Sequence, residues 1–110
     1  MATFRFQSLD IYRLAKDLAV LVQDARIKDG ELRDQATRAA KSCFLNLAEG
    51  LPSDMAGVRR RHFSLANGSL GELAAAIDLS LALGAIDSEA ARSIDAASER
   101  FAMMLRKLMR

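Results

Sequence analysis

Apolar residues recur along this chain at steps of three and four, the period of an amphipathic helix, through four successive segments. In the first, over about 9–28, Ile11, Leu14, Ala15, Leu18, Leu21, Val22 and Ala25 share one face, with Asp10, Arg13, Lys16, Asp17 and Asp24 on the other. Gly30 then reads as a left-handed cap. The second helix is expected over 31–49, with a core stripe of Leu32, Ala36, Ala39, Cys43 and Leu47 widened by Ala40, Phe44 and Ala48. Gly50 stops it, and Leu51-Pro52 prevents its continuation. Ser53 or Asp54 is placed to cap a third helix over about 54–83, carrying Phe63, Ala66, Leu70, Leu73, Ile77 and Leu81. The fourth spans 88–109, capped by Asp87, with a stripe of Ala91, Ile94, Ser98, Phe101, Leu105 and Leu108.

One stretch tests this reading. SLANGSLGEL, Ser64 to Leu73, contains Asn67-Gly68, ordinarily a strong hairpin signal. A hairpin needs apolar-polar alternation on both sides, whereas the three-four spacing runs straight through, so the glycines sit inside a helix. Each costs roughly 1 kcal/mol of helix propensity relative to alanine. Gly68 and Gly71, three apart, share a face and would let another helix approach closely. The expected partner is the small-residue face of Ala36, Ala39, Ala40 and Cys43, or else a neighbouring subunit. Four helices with short links predict an all-α, antiparallel up-down-up-down four-helix bundle, one domain over 1–110.

Composition agrees: 51% hydrophobic residues, 5% aromatic and a single proline suit an Ala- and Leu-rich bundle. The net charge of +2, from 16 basic and 14 acidic residues, is too balanced to imply nucleic-acid binding, so any basic surface must come from local clustering. Cys43 stands alone, which excludes an internal disulfide. MATFRFQSLD lacks the apolar core of a signal peptide, and no apolar run reaches membrane-spanning length, so a cytoplasmic protein without a membrane partner is expected.

Two basic clusters are candidate phosphate ligands. Arg59, Arg60 and Arg61, followed by His62, fan around the start of the third helix. Arg106, Lys107 and Arg110 close the fourth, where cations also complement the helix dipole. Antiparallel topology puts both clusters at one end of the bundle, and a plain solvated surface is the alternative. Arg38, Ser42, Asn46 and Glu49 follow one edge of the second helix, with Ser69 and Glu72 on a comparable edge of the third. Such groups read as an Arg38 ion pair with Glu72 or Glu49 that fixes helix register, or as a ligand site. Catalysis finds little support. There is one histidine and no Glu-x-x-His pair, Cys43 sits mid-stripe, and Gly68 to Gly71 is too short for a phosphate loop. No cofactor or metal is expected.

RDQATRAAKSCFLNLAEG (Arg33 to Gly50) followed by HFSLANGSLGEL (His62 to Leu73) resembles the four-helix-bundle family of 23S rRNA intervening-sequence proteins. The matching residues are Gln35, Arg38, Ala39, Ala40, Ser42, Asn46, Ala48, Glu49 and Gly50, then Phe63, Ala66, Gly68, Ser69, Glu72 and Leu73. Cys43 and Leu47 stand where the family usually has isoleucine, and the first helix lacks the common tryptophan. The resemblance implies a non-enzymatic cytosolic bundle assembling into a homopentamer. It is also similar to the accessory variability determinants of diversity-generating retroelements, which implies RNA or DNA and a reverse transcriptase as partners. Two functions follow: a nucleic-acid or ribonucleoprotein-binding scaffold, or a structural, protein-interaction ring without nucleic-acid affinity.

Overall fold

Two aspartates open helices in the same way. The Asp29 carboxylate accepts the Leu32 N–H at 2.9 Å and the Asp87 carboxylate the Ala90 N–H at 3.2 Å, each satisfying a donor that the first helical turn leaves without an intrahelical partner. The computed structural model describes residues 4–110, the side chain of Ser8 excepted. After a 3-10 turn at Arg5–Ser8 come four α-helices: Asp10–Asp24 (α1), Gly30–Gly50 (α2), Ala56–Ala82 (α3) and Ser88–Met109 (α4).

The helix ends depart from the expected ones for physical reasons. α1 stops at Asp24 rather than near Lys28, and the residue with left-handed backbone is Arg26 (φ 48°), not Gly30. Continued as helix, Ile27 would fall opposite Leu18, on the polar side. Breaking the helix lets Ile27 turn inward, where it is 1% exposed. Gly30 is instead the first residue of α2. Neither Ser53 nor Asp54 caps α3. Met55 holds the cap position without a side-chain bond, and Ser53 Oγ accepts the Met55 N–H at 3.1 Å. At the far end of α3, Gly84 (φ 70°) does adopt the left-handed conformation. The Ala85 N–H reaches Ser80 O at 2.8 Å and the Gly84 N–H reaches Leu81 O at 3.1 Å, the paired bonds of a Schellman motif.

α2 packs on α1 and α3, and α4 on α1 and α3, so the helices occupy four corners of an antiparallel bundle about 44 × 29 × 21 Å, with α2 and α3 in the most extensive contact. Phe63, Phe101, Leu18, Leu47, Leu73, Ile77, Ile94 and Leu105 fill the centre, fully buried. Leu81 and Leu108, expected in the stripes, lie in terminal turns beyond neighbouring helices and are exposed. Ser98 Oγ is buried without a hydrogen-bond partner among the described residues. One end of the bundle joins the α1–α2 and α3–α4 connections, where the Lys28 N–H donates to Ala85 O at 2.8 Å. At the other end Phe4, Phe6 and Leu9 meet the α2–α3 connection at Leu51, Pro52 and Asp54.

Glycine does the close-packing work at a different place from the one expected. A Cβ on Gly68 or Gly71 would meet nothing within 4 Å, because both lie on the outer face of α3, away from the side that carries Ala66, Leu70 and Leu73. The tight position is Gly50. A Cβ there would stand 2.6 Å from Phe63 Cε1, 2.9 Å from Cδ1 and 3.3 Å from His62 Cβ. Gly50→Ala should therefore cost about 1–3 kcal/mol in urea unfolding through overpacking. Gly71→Ala, free of any such neighbour, should gain roughly 0.5–1 kcal/mol in the same measurement.

Candidate nucleic-acid interface

The polar residues of α2 line a seam with α3. Asn46 Nδ2 donates back to Ser42 O at 2.9 Å and lies 3.3 Å from Ser42 Oγ, which accepts from Ser69 Oγ of α3 at 2.8 Å. Asn46 Oδ1 is 3.0 Å from His62 Nδ1, and His62 Nε2 is 3.3 Å from Glu49 Oε2. With the amide nitrogen committed to Ser42, Asn46 presents its oxygen to the imidazole, so Nδ1 carries the donor hydrogen. Ser42, Asn46, Glu49 and Ser69 thus join into one ladder, and His62, the fifth member, is absent from the polar residues that spacing singles out.

The expected Arg38 ion pair does not form. Among the described residues Arg38 has no carboxylate partner, and Glu49 is turned to His62 instead. Arg38 and Glu72 line an open cleft of about 210 Å³ together with Gln35, Ala39 and Ser42. Both side chains are exposed there, and water solvates them separately.

The basic run divides in two. Arg59 is half-buried and engaged: its Nη1 donates to Leu51 O at 2.7 Å, with longer contacts to Gly50 O at 3.3 Å and Ser53 O at 3.4 Å. Its guanidinium also lies 5.1 Å from the centre of the Phe63 ring. A cation near a helix N-terminus is unfavourable taken alone, but the end of α2 lies beside the start of α3, and its outward carbonyls are the negative pole that Arg59 satisfies. Arg59 is accordingly a structural cap, not an open phosphate ligand. Arg60 and Arg61 point outward, as do Arg106, Lys107 and Arg110, and among the described residues none of the five has an ion-pair partner.

These five cations occupy the end of the bundle that holds the α2–α3 connection. The near-neutral total charge conceals a separation along the long axis. Residues 1–17, 40–69 and 99–110, the half at that end, contain eleven Lys or Arg against five Asp or Glu. Residues 18–39 and 70–98 contain five against nine. Nearer the middle of α4, partial burial and the neighbouring Glu99 and Asp78 push the Asp95 carboxyl up from its ordinary value.

Three apolar side chains share the basic end: Phe4, Leu9 and Met55 are 63%, 45% and 67% exposed. The interleaved Phe-Arg-Phe at residues 4–6 is the sequence signal for them. Cys43, by contrast, is buried, and burial pushes its thiol up to about 12, so no thiolate exists at neutral pH. Among the described residues no three His, Cys, Asp or Glu side chains converge as a metal site, and no helix is long and apolar enough to cross a membrane.

An antiparallel four-helix bundle with a polar α2–α3 seam and one basic end is the class of protein that emerges. The chain belongs to the 23S rRNA-intervening sequence protein family, which it matches over residues 7–107. The solved structure of a protein of unknown function from the S23 ribosomal protein family of Bacteroides thetaiotaomicron has the same fold, with a TM-score of 0.83. That likeness covers 91% of this chain and 98% of the other at 17% identity. No curated protein matches the chain.

Arg59→Ala should lower unfolding stability by about 1–2 kcal/mol, since it strips a charge-assisted cap from α2. Arg60→Ala and Arg61→Ala should change it by no more than about 0.5 kcal/mol. Cys43 should resist alkylation in the folded protein and react at an ordinary rate once urea unfolds it, which a thiol-reagent time course reads directly.

Proposed function

We propose that the protein is a non-enzymatic bundle subunit that assembles with copies of itself and offers its basic end to nucleic acid. The observation that carries this reading is the clustering of Arg60, Arg61, Arg106, Lys107 and Arg110 at one end, exposed and without ion-pair partners. Arginine forks and lysine ammonium groups so placed neutralise phosphates and release counterions. The acid-rich opposite end repels a polyanion, so contact is confined to one pole.

Assembly multiplies this modest patch. The outer face of α3 places Gly57, Gly68, Gly71 and Ala75 in the open, flanked by Leu65 and Leu79 at 47% and 49% exposure. Glycine at exposed helix positions weakens the lone helix. A second helix backbone laid against that face would recover the loss. The family resemblance makes a pentameric ring the expected form, with five basic ends on one rim. A ring acting only on protein partners is the second reading, favoured by Leu45 and Leu65, exposed beside the α2–α3 seam.

The test combines light scattering with RNA and DNA binding across a salt series. A single strand touching all five cations of one subunit should give a log–log salt slope of roughly −3.5. Substituting glutamate at both Arg60 and Arg61 should weaken binding and flatten the slope. Gly68→Leu should leave the helices intact while reducing the particle to the 12.0 kDa chain. Assembly without affinity for either nucleic acid at low salt would establish the second reading.

A further inference from the structure

At the basic end, Phe4 is held in place rather than left to swing. Its N–H donates to Gln7 Oε1 at 3.1 Å, and the Gln7 N–H returns to Phe4 O at 3.1 Å. Its ring stacks on Phe6, with centroids 5.9 Å apart and planes inclined by 23°. Phe6 meets the Tyr12 edge at 5.5 Å, and Tyr12 leans on Phe44 of α2 at 5.0 Å. A file of four aromatic rings therefore runs from the bundle wall to the surface and ends in a ring that is 63% exposed. Isolated exposed apolar residues are ordinary on protein surfaces. Here, however, the ring is buttressed from behind, lies beside exposed Leu9 and Met55, and shares its end with five unpaired cations.

We propose that this end takes single-stranded nucleic acid, one unpaired base stacking on Phe4 while Arg60, Arg61, Arg106, Lys107 and Arg110 hold the flanking phosphates. The proposal rests on the nucleic-acid reading above and narrows its ligand. Duplex DNA or RNA hides base faces inside its stack, so a fixed ring gains nothing from it, whereas every unpaired base offers a face. From the α2–α3 connection, where Asp54 meets Phe4, to Arg60 is about 9 Å along the α3 axis, so ring and cation lie within reach of one short strand. Asp54 is the acidic group beside the ring, and Asp10 is neutralised by Arg13 at 2.8 Å. A lipid surface fits less well, because no helix here presents a continuous apolar face flanked by cations for insertion.

The chain contains no tryptophan, so Phe4→Trp installs a single reporter at the stacking position. Binding of a 20-nucleotide oligoadenylate and of a perfect RNA duplex of the same length is measured by anisotropy, alongside vesicles containing anionic phospholipid. The expected result is tighter binding of the single strand than of the duplex, with quenching of the Phe4→Trp fluorescence by the single strand alone. Phe4→Ala and Phe4→Leu should each lose roughly 5- to 100-fold in single-strand affinity, the range that base–aromatic stacking supplies, with the salt slope unchanged. Equal binding of strand and duplex, or an unquenched reporter, overturns the stacking inference while glutamate at Arg60 and Arg61 still tests the broader reading. Quenching by vesicles but not by oligonucleotide overturns it in favour of lipid. Absence of binding to either nucleic acid sinks both readings together.

Discussion

The approach of α2 to α3 at Gly50 is the constraint from which the rest of the bundle follows. Phe63 lies against the α2 backbone so closely that no side chain fits between them. One turn earlier on α3, Arg59 folds over the same ring to reach the last carbonyls of α2. Helix end, aromatic ring and cation form one joint, and each part needs the other two. From that joint the seam runs back through His62, Asn46, Ser42 and Ser69, whose hydrogen bonds specify one register. Sliding α3 by a turn, about 5.4 Å, would break every rung while leaving the apolar contacts roughly satisfied. Hydrophobic burial brings the helices together; the polar ladder decides where they stop.

This division of labour bears on how the chain works. The residues shared with the family are largely consumed in holding two helices in register, and they leave little chemistry free. What the molecule offers to partners lies outside them, in the cations of two helix ends, the N-terminal aromatics and the small-residue face of α3. Members of such a family can then share a scaffold while differing in what the scaffold presents, because the presenting positions do not hold the bundle together.

Element type is legible throughout the sequence because each helix repeats its apolar phase over several turns. Ends are less so. Ile27 is out of phase with Leu18 by half a turn of the wheel, and that single mismatch is the written sign that α1 must break before it. Gly68 is likewise out of phase with Ala66, Leu70 and Leu73, enough to place it on the outer face without any structure. Gly50 is different. Its crowding comes from Phe63, thirteen residues further on, and no local pattern announces which ring a folded chain will lay against a glycine. The same holds for Arg59, whose acceptors belong to the preceding helix. Antiparallel topology alone brings the two basic clusters to one end, whereas the partners that occupy or spare each arginine depend on three-dimensional proximity.

The hydrogen bond from Lys28 to Ala85 gives the two ends of the bundle unequal mechanical lives. It ties both helix-to-helix connections at the acidic pole into one knot, reinforced by the inward turn of Ile27 and the Schellman closure at Gly84. The opposite pole holds both chain termini, and termini are where native chains open first and most often. Brief local unfolding is thus concentrated at the pole that carries the free cations. A surface that loosens there can mould itself to a flexible chain, while the far pole keeps the four helices from parting.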